Sequence, residues 1–378
     1  MTTRNGPPLR VLALEPYFGL SHKTFLEGYR RHSRHAVEIW KMTPRKWKWR
    51  MRGSAYHFAE LARSAPDGSA PGVVLASDFL NLCDWPALAP PGFRDAPSIL
   101  YFHENQITYP LGAEARTDFQ YGWINLSSAL AADRVLFNSA YHLEEFLREV
   151  TRVLALMPDH VPGGLPERIG ERSAVFPVGI DFELHREVLK GPRKPNRVPV
   201  VVWNHRWEYD KGPELMVEAF AKLKERGVEF QAVVCGQAFK KKPEEFQALR
   251  EVLGDRLLHA GFFPDGRRYL EALLQADVVL STARHDFFGV SIVEALYMGC
   301  LPVLPDALSY PEIVPPALHG KFLYDGAREL HEKLARVLAK PPVEHREELQ
   351  AAVARFDWRS LAPDLDQIVD ETFSSGRR

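Results

Sequence analysis

The run Val200-Val201-Val202-Trp203-Asn204-His205-Arg206, with Lys211-Gly212-Pro213 just beyond it, decides how this chain is read. Val200–Trp203 is a short apolar run that reads as a buried strand, and Pro213 opens the helical pattern Pro213–Glu225. Arg206 and Lys211 therefore fall between a strand end and a helix start. Such a place suits a diphosphate: the helix amides and dipole favour the anion, and the two side chains neutralise it. Taken alone, the pair reads equally well as two solvated surface cations.

The alternation continues in both directions. Downstream, Gln231–Cys235, 257–259, 278–281 and 301–304 read as strands, with helices over 243–253, 267–275 and 292–298. Upstream, 10–14, 36–40, 73–76, Ser98–Phe102 and Arg134–Phe137 read as strands, and 24–31, Phe119–Ala131 and 141–150 as amphipathic helices. Such alternation argues for parallel βαβ units. The polar, Pro-bearing stretch 190–199 separates the two series and reads as a linker. The expected fold class is α/β, with two Rossmann-like doubly wound domains, 1–189 and 199–355, facing a central cleft. A C-terminal segment, 356–378, holds a helix near 361–373 that packs back on the first domain. In such sheets ligands bind at the C-terminal ends of the strands.

With 378 residues, 46% hydrophobic and 26% charged, the chain has material for two cores. No apolar run approaches the length that spans a bilayer, and the first one, 11–14, stops at Glu15, so neither a signal peptide nor stable membrane insertion is expected. Cys83, Cys235 and Cys300 are far apart and odd in number, which suggests no disulfide framework and a reducing, cytoplasmic home. The net charge of −1 hides an asymmetry: residues 1–60 hold 12 Lys and Arg against 4 Asp and Glu, and the remainder 36 against 45. A cationic first domain suggests a polyanionic partner, RNA or an anionic membrane surface. Within it, 41–52 carries Lys41, Arg45, Lys46, Lys48, Arg50 and Arg52 interleaved with Trp47 and Trp49. Cations bind phosphates and exposed indoles stack on unpaired bases. The segment reads as too short and hydrophilic for an amphipathic helix, which favours RNA over a membrane. Asp364-Leu365-Asp366 has the spacing of a metal-binding pair but lies in the terminal helix, where it reads as a solvated face.

A second constellation follows the strand at 278–281: His285-Asp286-Phe287-Phe288-Gly289-Val290, then Glu294 on a helix. Gly289 lets backbone amides approach a ligand. Asp286 falls on the loop and Glu294 about one turn into the helix, and a carboxylate suits the two hydroxyls of a ribose. A capping or salt-bridging Glu294 is the plain alternative.

Residues 203–305 resemble the retaining GT-B glycosyltransferases of family 4. That family's pattern is matched by Arg206, Lys211-Gly212, Asp286, Phe288-Gly289 and Glu294-Ala295, with Asp286 where the family usually has Glu. Val175-Phe176-Pro177-Val178-Gly179-Ile180-Asp181 resembles its interdomain segment, and Tyr310-Pro311-Glu312-Ile313 a later element. A closer resemblance, to tRNA-queuosine α-mannosyltransferases, runs through Glu15-Pro16-Tyr17-Phe18-Gly19-Leu20-Ser21-His22-Lys23, Lys46-Trp47-Lys48-Trp49-Arg50, Tyr101-Phe102-His103-Glu104-Asn105-Gln106 and Asp118-Phe119-Gln120-Tyr121-Gly122. Leu20 stands where that family has a second Gly. The resemblance implies transfer of mannose from GDP-mannose, a nucleotide sugar, to queuosine in tRNA with retention of configuration and without a catalytic metal. It implies catalytic roles for His103, Arg206, Lys211 and Asp286. Gly19, Gly236, Gln237, Phe262, Phe287, Phe288, Gly289, Val290 and Glu294 would line the donor, and Arg45–Arg50 would face the RNA; His22 and Lys23, at a helix start after the first strand, would meet the phosphate or the acceptor, with a solvated Lys23 an equal reading. A lipid-linked or cell-wall glycan acceptor, or an RNA-binding protein without activity, are the competing readings.

Overall fold

The computed structural model describes residues 6–108, 119–237 and 244–376. Asp118 and Pro243, at the edges of two expected elements, lie outside the described residues. The chain divides into two compact units, Met1–Asp181 with Phe356–Arg378, and Phe182–Arg355.

Unit 1 is built on β1 (Arg10–Glu15), β2 (Ala36–Lys41), β3 (Val73–Ser77), β4 (Ser98–Phe102), β5 (Arg134–Phe137) and β6 (Ser173–Val175). These pair in parallel in the order β2-β1-β3-β4-β5-β6. The strands β3 and β4 are buried along their whole length, as parallel strands covered on both faces must be. The helices α1 (Leu20–His32), α2 (Trp47–Arg63), α3 (Phe119–Ala131) and α4 (Ala140–Leu154) supply the cover. Leu12, Phe58, Val74, Phe102, Phe137 and Phe146 meet in the core. Strand order reverses between β1 and β3, so the loops after these strands open onto a switch point.

Unit 2 repeats the plan with β7 (Val200–Trp203), β8 (Gln231–Cys235), β9 (Leu257–Gly261), β10 (Val278–Leu280), β11 (Leu301–Pro305) and β12 (Leu323–Tyr324), ordered β12-β11-β10-β7-β8-β9. Among its helices are α5 (Pro213–Glu225), α6 (Gly266–Gln275) and α7 (Val290–Tyr297). Here the order reverses between β7 and β10, which places the turn after β7 and the loop after β10 side by side at the crevice.

The last helix, α8 (Trp358–Ser375), belongs to unit 1. Trp358 is fully buried, and a Cβ at Gly28 or Gly179 would stand 2.1 or 2.3 Å from its indole. The two glycines therefore form the slot that accepts it. Ile180 N–H donates to the Phe356 carbonyl at 2.8 Å, and Trp358 N–H to the Ile180 carbonyl at 3.0 Å.

Three expectations need correction. The stretch 190–199 is not a free linker: Arg193 donates to the carbonyls of Met298 and Ala276, and Asn196 to the Gln275 carbonyl and Asp277. These side chains satisfy polar groups at the amino edge of the second sheet, and the units part earlier, between Asp181 and Phe182. The segment 41–52 runs into a helix, because Trp47, Met51, Ala55, Phe58 and Ala62 form one inward stripe that the cationic first turn conceals. Asp366 is buried rather than solvated, accepting from Tyr29 Oη at 2.9 Å, Ser33 Oγ at 2.5 Å and Arg34 N–H at 3.0 Å. It ties α8 to the end of α1. Among the described helices none is long and apolar enough to cross a membrane.

Candidate active site

In unit 2 the turn after β7 sets the geometry. Gly212 adopts φ 60, and a Cβ there would stand 2.3 Å from the Thr282 carbonyl oxygen, so the approach needs glycine. The Thr282 hydroxyl donates to the Lys211 and Gly212 carbonyls at 2.9 Å each, fixing the turn against the loop after β10. Lys211 is buried by this packing. Its Nζ donates to the His285 carbonyl at 2.6 Å and lies 3.3 Å from Asp210 and 3.5 Å from Asp286. Arg206, one-third exposed, lies 3.5 Å from Glu208 and 3.9 Å from Asp210.

Burial works to raise the Asp286 carboxyl, but Lys211, His205, a hydrogen bond from Tyr310 Oη at 3.1 Å, and His285 outweigh it and hold the group below the usual range. The shorter Asp arm is thus received by Tyr310. His205 and His285 are lowered to about 4, by burial first and then by Lys211. Both are neutral at physiological pH, so Lys211 and Arg206 carry the positive charge of this site.

Gly289 at φ 89 ends the loop and begins α7, with Phe287 and Phe288 buried beneath it. Its carbonyl accepts from the Ile292 and Val293 amides, and Val290 opens the first turn. Glu294 is the fifth residue of α7. Asn204 Nδ2 donates to Tyr269 Oη at 3.0 Å and to the Ser291 carbonyl at 2.8 Å, and Tyr269 Oη donates to Glu294 at 3.0 Å. Burial raises the Glu294 carboxyl to about 7, with the Tyr269 bond opposing it. Gly236 follows β8; a Cβ there would fall 1.7 Å from the His205 carbonyl oxygen, so no other residue fits beside the β7 turn. The Gln237 carbonyl accepts from Trp207 N–H at 3.1 Å, and Phe262 is exposed.

Unit 1 gathers a second cluster at its own switch point. Glu15, at the buried end of β1, accepts from Tyr17 N–H at 2.8 Å and Ser77 Oγ at 3.0 Å, and its other oxygen lies 3.0 Å from His22 Nδ1. His22 stacks on His103, with ring centroids 3.9 Å apart. His103 N–H donates to Asp78 at 2.9 Å, and its buried Nδ1 has no hydrogen-bond partner among the described residues. Burial alone would lower His22, but Glu15, by charge and hydrogen bond, with Asp78 and Glu104, pushes it up to about 9. His103 is held well below its ordinary range by burial, by His22 and by His142. One ring of the stack is therefore charged and the other neutral. Ligand atoms of Glu15, His22 and His103 fall within 4.8 Å of one another. The His22 nitrogen that faces Glu15 is engaged by it, so the group is an acid–imidazole pair with a second ring stacked on it.

Gly19 caps α1, where a Cβ would meet the Pro44 side chain at 2.7 Å, and Lys23 is solvated near Glu27. Leu20 sits at φ 48, a region that favours the glycine its resemblance would place there. The two tryptophans of the basic segment part company: Trp47 turns inward onto Tyr121, ring centroids 5.0 Å apart, while Trp49 is exposed. Trp47 is thereby partly buried and packs within unit 1. Arg50 donates to the Thr43 carbonyl and hydroxyl; Arg45, Lys46 and Lys48 are exposed.

Residues 10–180 match the family described as tRNA-queuosine alpha-mannosyltransferase N-terminal, and residues 185–355 match glycosyl transferases group 1. The tRNA-queuosine alpha-mannosyltransferase of Drosophila melanogaster is 37% identical over 364 residues, which cover 93% of this chain and 94% of that one. This chain belongs to the tRNA-queuosine alpha-mannosyltransferase family. Family membership makes it a glycosyltransferase. The GDP-mannose:cellobiosyl-diphosphopolyprenol alpha-mannosyltransferase of Xanthomonas campestris is 24% identical over 53% of this chain and 52% of that one. Among solved structures, sucrose-phosphate synthase from Thermosynechococcus elongatus superposes with a TM-score of 0.71 at 17% identity, over 97% of this chain and all of that one. Anabaena HepE in complex with UDP gives 0.65 at 18%, over 97% and 100%. The shared fold is GT-B.

Glu15, Asp78, Asn204, Tyr269 and Tyr310 escaped the sequence reading as site residues. Glu15 had a signal, since a carboxylate closing a buried apolar strand needs partners. Tyr269 had none, because a tyrosine in an amphipathic helix looks like any other.

Proposed function

We propose that this chain transfers mannose from GDP-mannose to the queuosine nucleoside of tRNA, tRNA-Asp in particular, in the cytoplasm and with retention of the α configuration. The observation that carries the reading is the 37% identity to the Drosophila enzyme, which runs through both units rather than the common donor half alone.

The donor's diphosphate lies against Arg206, Lys211 and the first amides of α7, and Glu294 accepts the two ribose hydroxyls. As the bond from the sugar C1 to the phosphate oxygen breaks, negative charge grows on the leaving diphosphate. Lys211, held in place by the His285 carbonyl and Asp286, meets that charge without reorganising. The acceptor oxygen bonds C1 on the same face, and its proton passes to the departing phosphate oxygen. This scheme assigns charge neutralisation to two side chains and asks for no metal.

Arg206→Ala should lower kcat by about 100-fold or more, the usual cost of removing one donor to developing charge. The dissociation constant for tRNA should stay within about twofold, because a leaving-group contact acts on the transition state. Steady-state kinetics beside a binding titration check this, and equal losses in both would contradict the assignment.

A further inference from the structure

Gly53 stands in the interior of α2, where glycine costs a helix about 1 kcal/mol relative to alanine. It is buried although α2 is a surface helix, because Trp49, one turn earlier, rests over it. A Cβ at position 53 would stand 2.6 to 2.9 Å from three atoms of the indole's six-membered ring. The indole nevertheless remains 61% exposed, and Tyr56, two turns further along the same face, is 57% exposed. Trp47 faces the other way, into a cluster with Met51, Tyr121, Tyr17 and Phe79. Tyr17 and Phe79 in turn pack around His22, so the first turn of α2 adjoins the Glu15–His22–His103 cluster.

The charged residues of the run 41–52 are all of one sign. Among the described residues no carboxylate forms an ion pair with Lys41, Arg45, Lys46, Lys48, Arg50 or Arg52, whereas most other arginines of unit 1 have one. An open aromatic face among cations that have no carboxylate partner matches an unpaired nucleobase flanked by phosphates. A membrane-surface helix would instead present a continuous apolar stripe, but Arg52 lies between Trp49 and Tyr56 and Glu60 follows on that side.

We propose that Gly53 makes a stacking platform: by carrying no side chain it seats the Trp49 indole with one face open, and an unpaired base of the RNA acceptor stacks there, with Tyr56 receiving a second base about 10 Å along the helix. This rests on the acceptor being tRNA, as read above, and assigns to one tryptophan the contact that the basic segment as a whole suggests. Gly53 is a positioning residue; Trp49 touches the base.

The test uses the full chain and two fluorescently labelled RNAs, an anticodon stem–loop with an unpaired loop and a blunt duplex of equal charge, titrated at fixed salt. Gly53→Ala and Trp49→Ala should each weaken loop binding by about tenfold, the size of one base stacked on an aromatic ring, and leave duplex binding within about twofold. Trp49→Phe should recover most of the loss. Because alanine favours a helix, Gly53→Ala should not lower Tm, which separates a displaced indole from a damaged fold. Unchanged loop binding in both variants, or equal losses on loop and duplex, would overturn the proposal. So would binding of the wild type to phosphatidylserine vesicles that Trp49→Ala abolishes while RNA binding stays intact. If the variants lose loop binding but the wild type adds no hexose to queuosine, the platform stands and the acceptor reading falls; hexose transfer with fully active variants gives the reverse.

Discussion

Two ionisable side chains are kept in charge states that free solution would not give them. Glu294 is pushed up to about 7 by burial, so it exchanges a proton within the physiological range. In the proposed donor site the carboxylate form would accept both ribose hydroxyls. GDP-mannose affinity should therefore rise from pH 6 to pH 8, and Glu294→Gln should weaken it about tenfold, the order expected for hydrogen bonds to a charged group, and flatten the profile. Calorimetric titration across that range checks this, and a flat wild-type profile would count against the ribose contact. His22 shows the opposite balance, with Glu15 holding it charged up to about pH 9. Its contribution to stability is fully present below its ordinary 6.5 and is lost as the pH rises through about 9. Glu15→Gln should move the high-pH limb of activity down by at least about one unit and lower Tm more at pH 7 than at pH 10. Rate–pH profiles and melting curves measure both, and an unmoved limb would mean that His22 titrates independently of Glu15. Arg206, Lys211, Asp286 and Glu294 could be singled out in the sequence because a strand end, a helix start and two glycines frame them. Tyr269 and Tyr310, which orient the carboxylates, were not, since nothing in the local pattern marks a tyrosine whose hydroxyl meets a residue more than twenty positions away.

Elements were legible wherever one periodicity ruled. Val200–Trp203, Gln231–Cys235, Ser98–Phe102 and Arg134–Phe137 coincide with the observed strands because a buried parallel strand is an unbroken apolar run. Ser173–Val175 and Leu323–Tyr324 did not stand out: each is an edge strand of two or three residues, too short to show a pattern. The start of α2 was hidden by its own first turn, which carries cations and no side-chain cap, with Lys46 at φ 58. Asp366 was misread although it shares the face of Leu365, Ala362 and Val369, all buried, so the periodicity did point inward. The junction of α8 with unit 1 is the clearest mechanical feature at this scale. Gly179→Ala would press a methyl into the Trp358 indole on a fully packed interior, and overpacking of that kind costs about 1–3 kcal/mol. Urea unfolding should show the midpoint falling with an unchanged slope. An unaltered midpoint would mean that the slot relaxes freely.

For the molecule as a whole, the division of labour follows charge. Six cations of unit 1 fall in the run 41–52 at the start of α2, while the proposed donor constellation of unit 2 balances Arg206 and Lys211 against Asp210, Asp286 and Glu294. The second half of the sequence announced a nucleotide-sugar enzyme by its spacing of cations, glycines and carboxylates. The acceptor was legible through the basic, tryptophan-bearing segment and the resemblance of unit 1, because acceptor recognition needs surface shape that no short motif encodes. The most direct test incubates the purified chain with GDP-mannose and queuosine-bearing tRNA-Asp, digests the RNA and weighs the nucleosides by mass spectrometry. Queuosine heavier by one hexose, absent when the tRNA lacks queuosine, is the predicted result. Unmodified queuosine alongside hexose transferred to a lipid-linked glycan would contradict it.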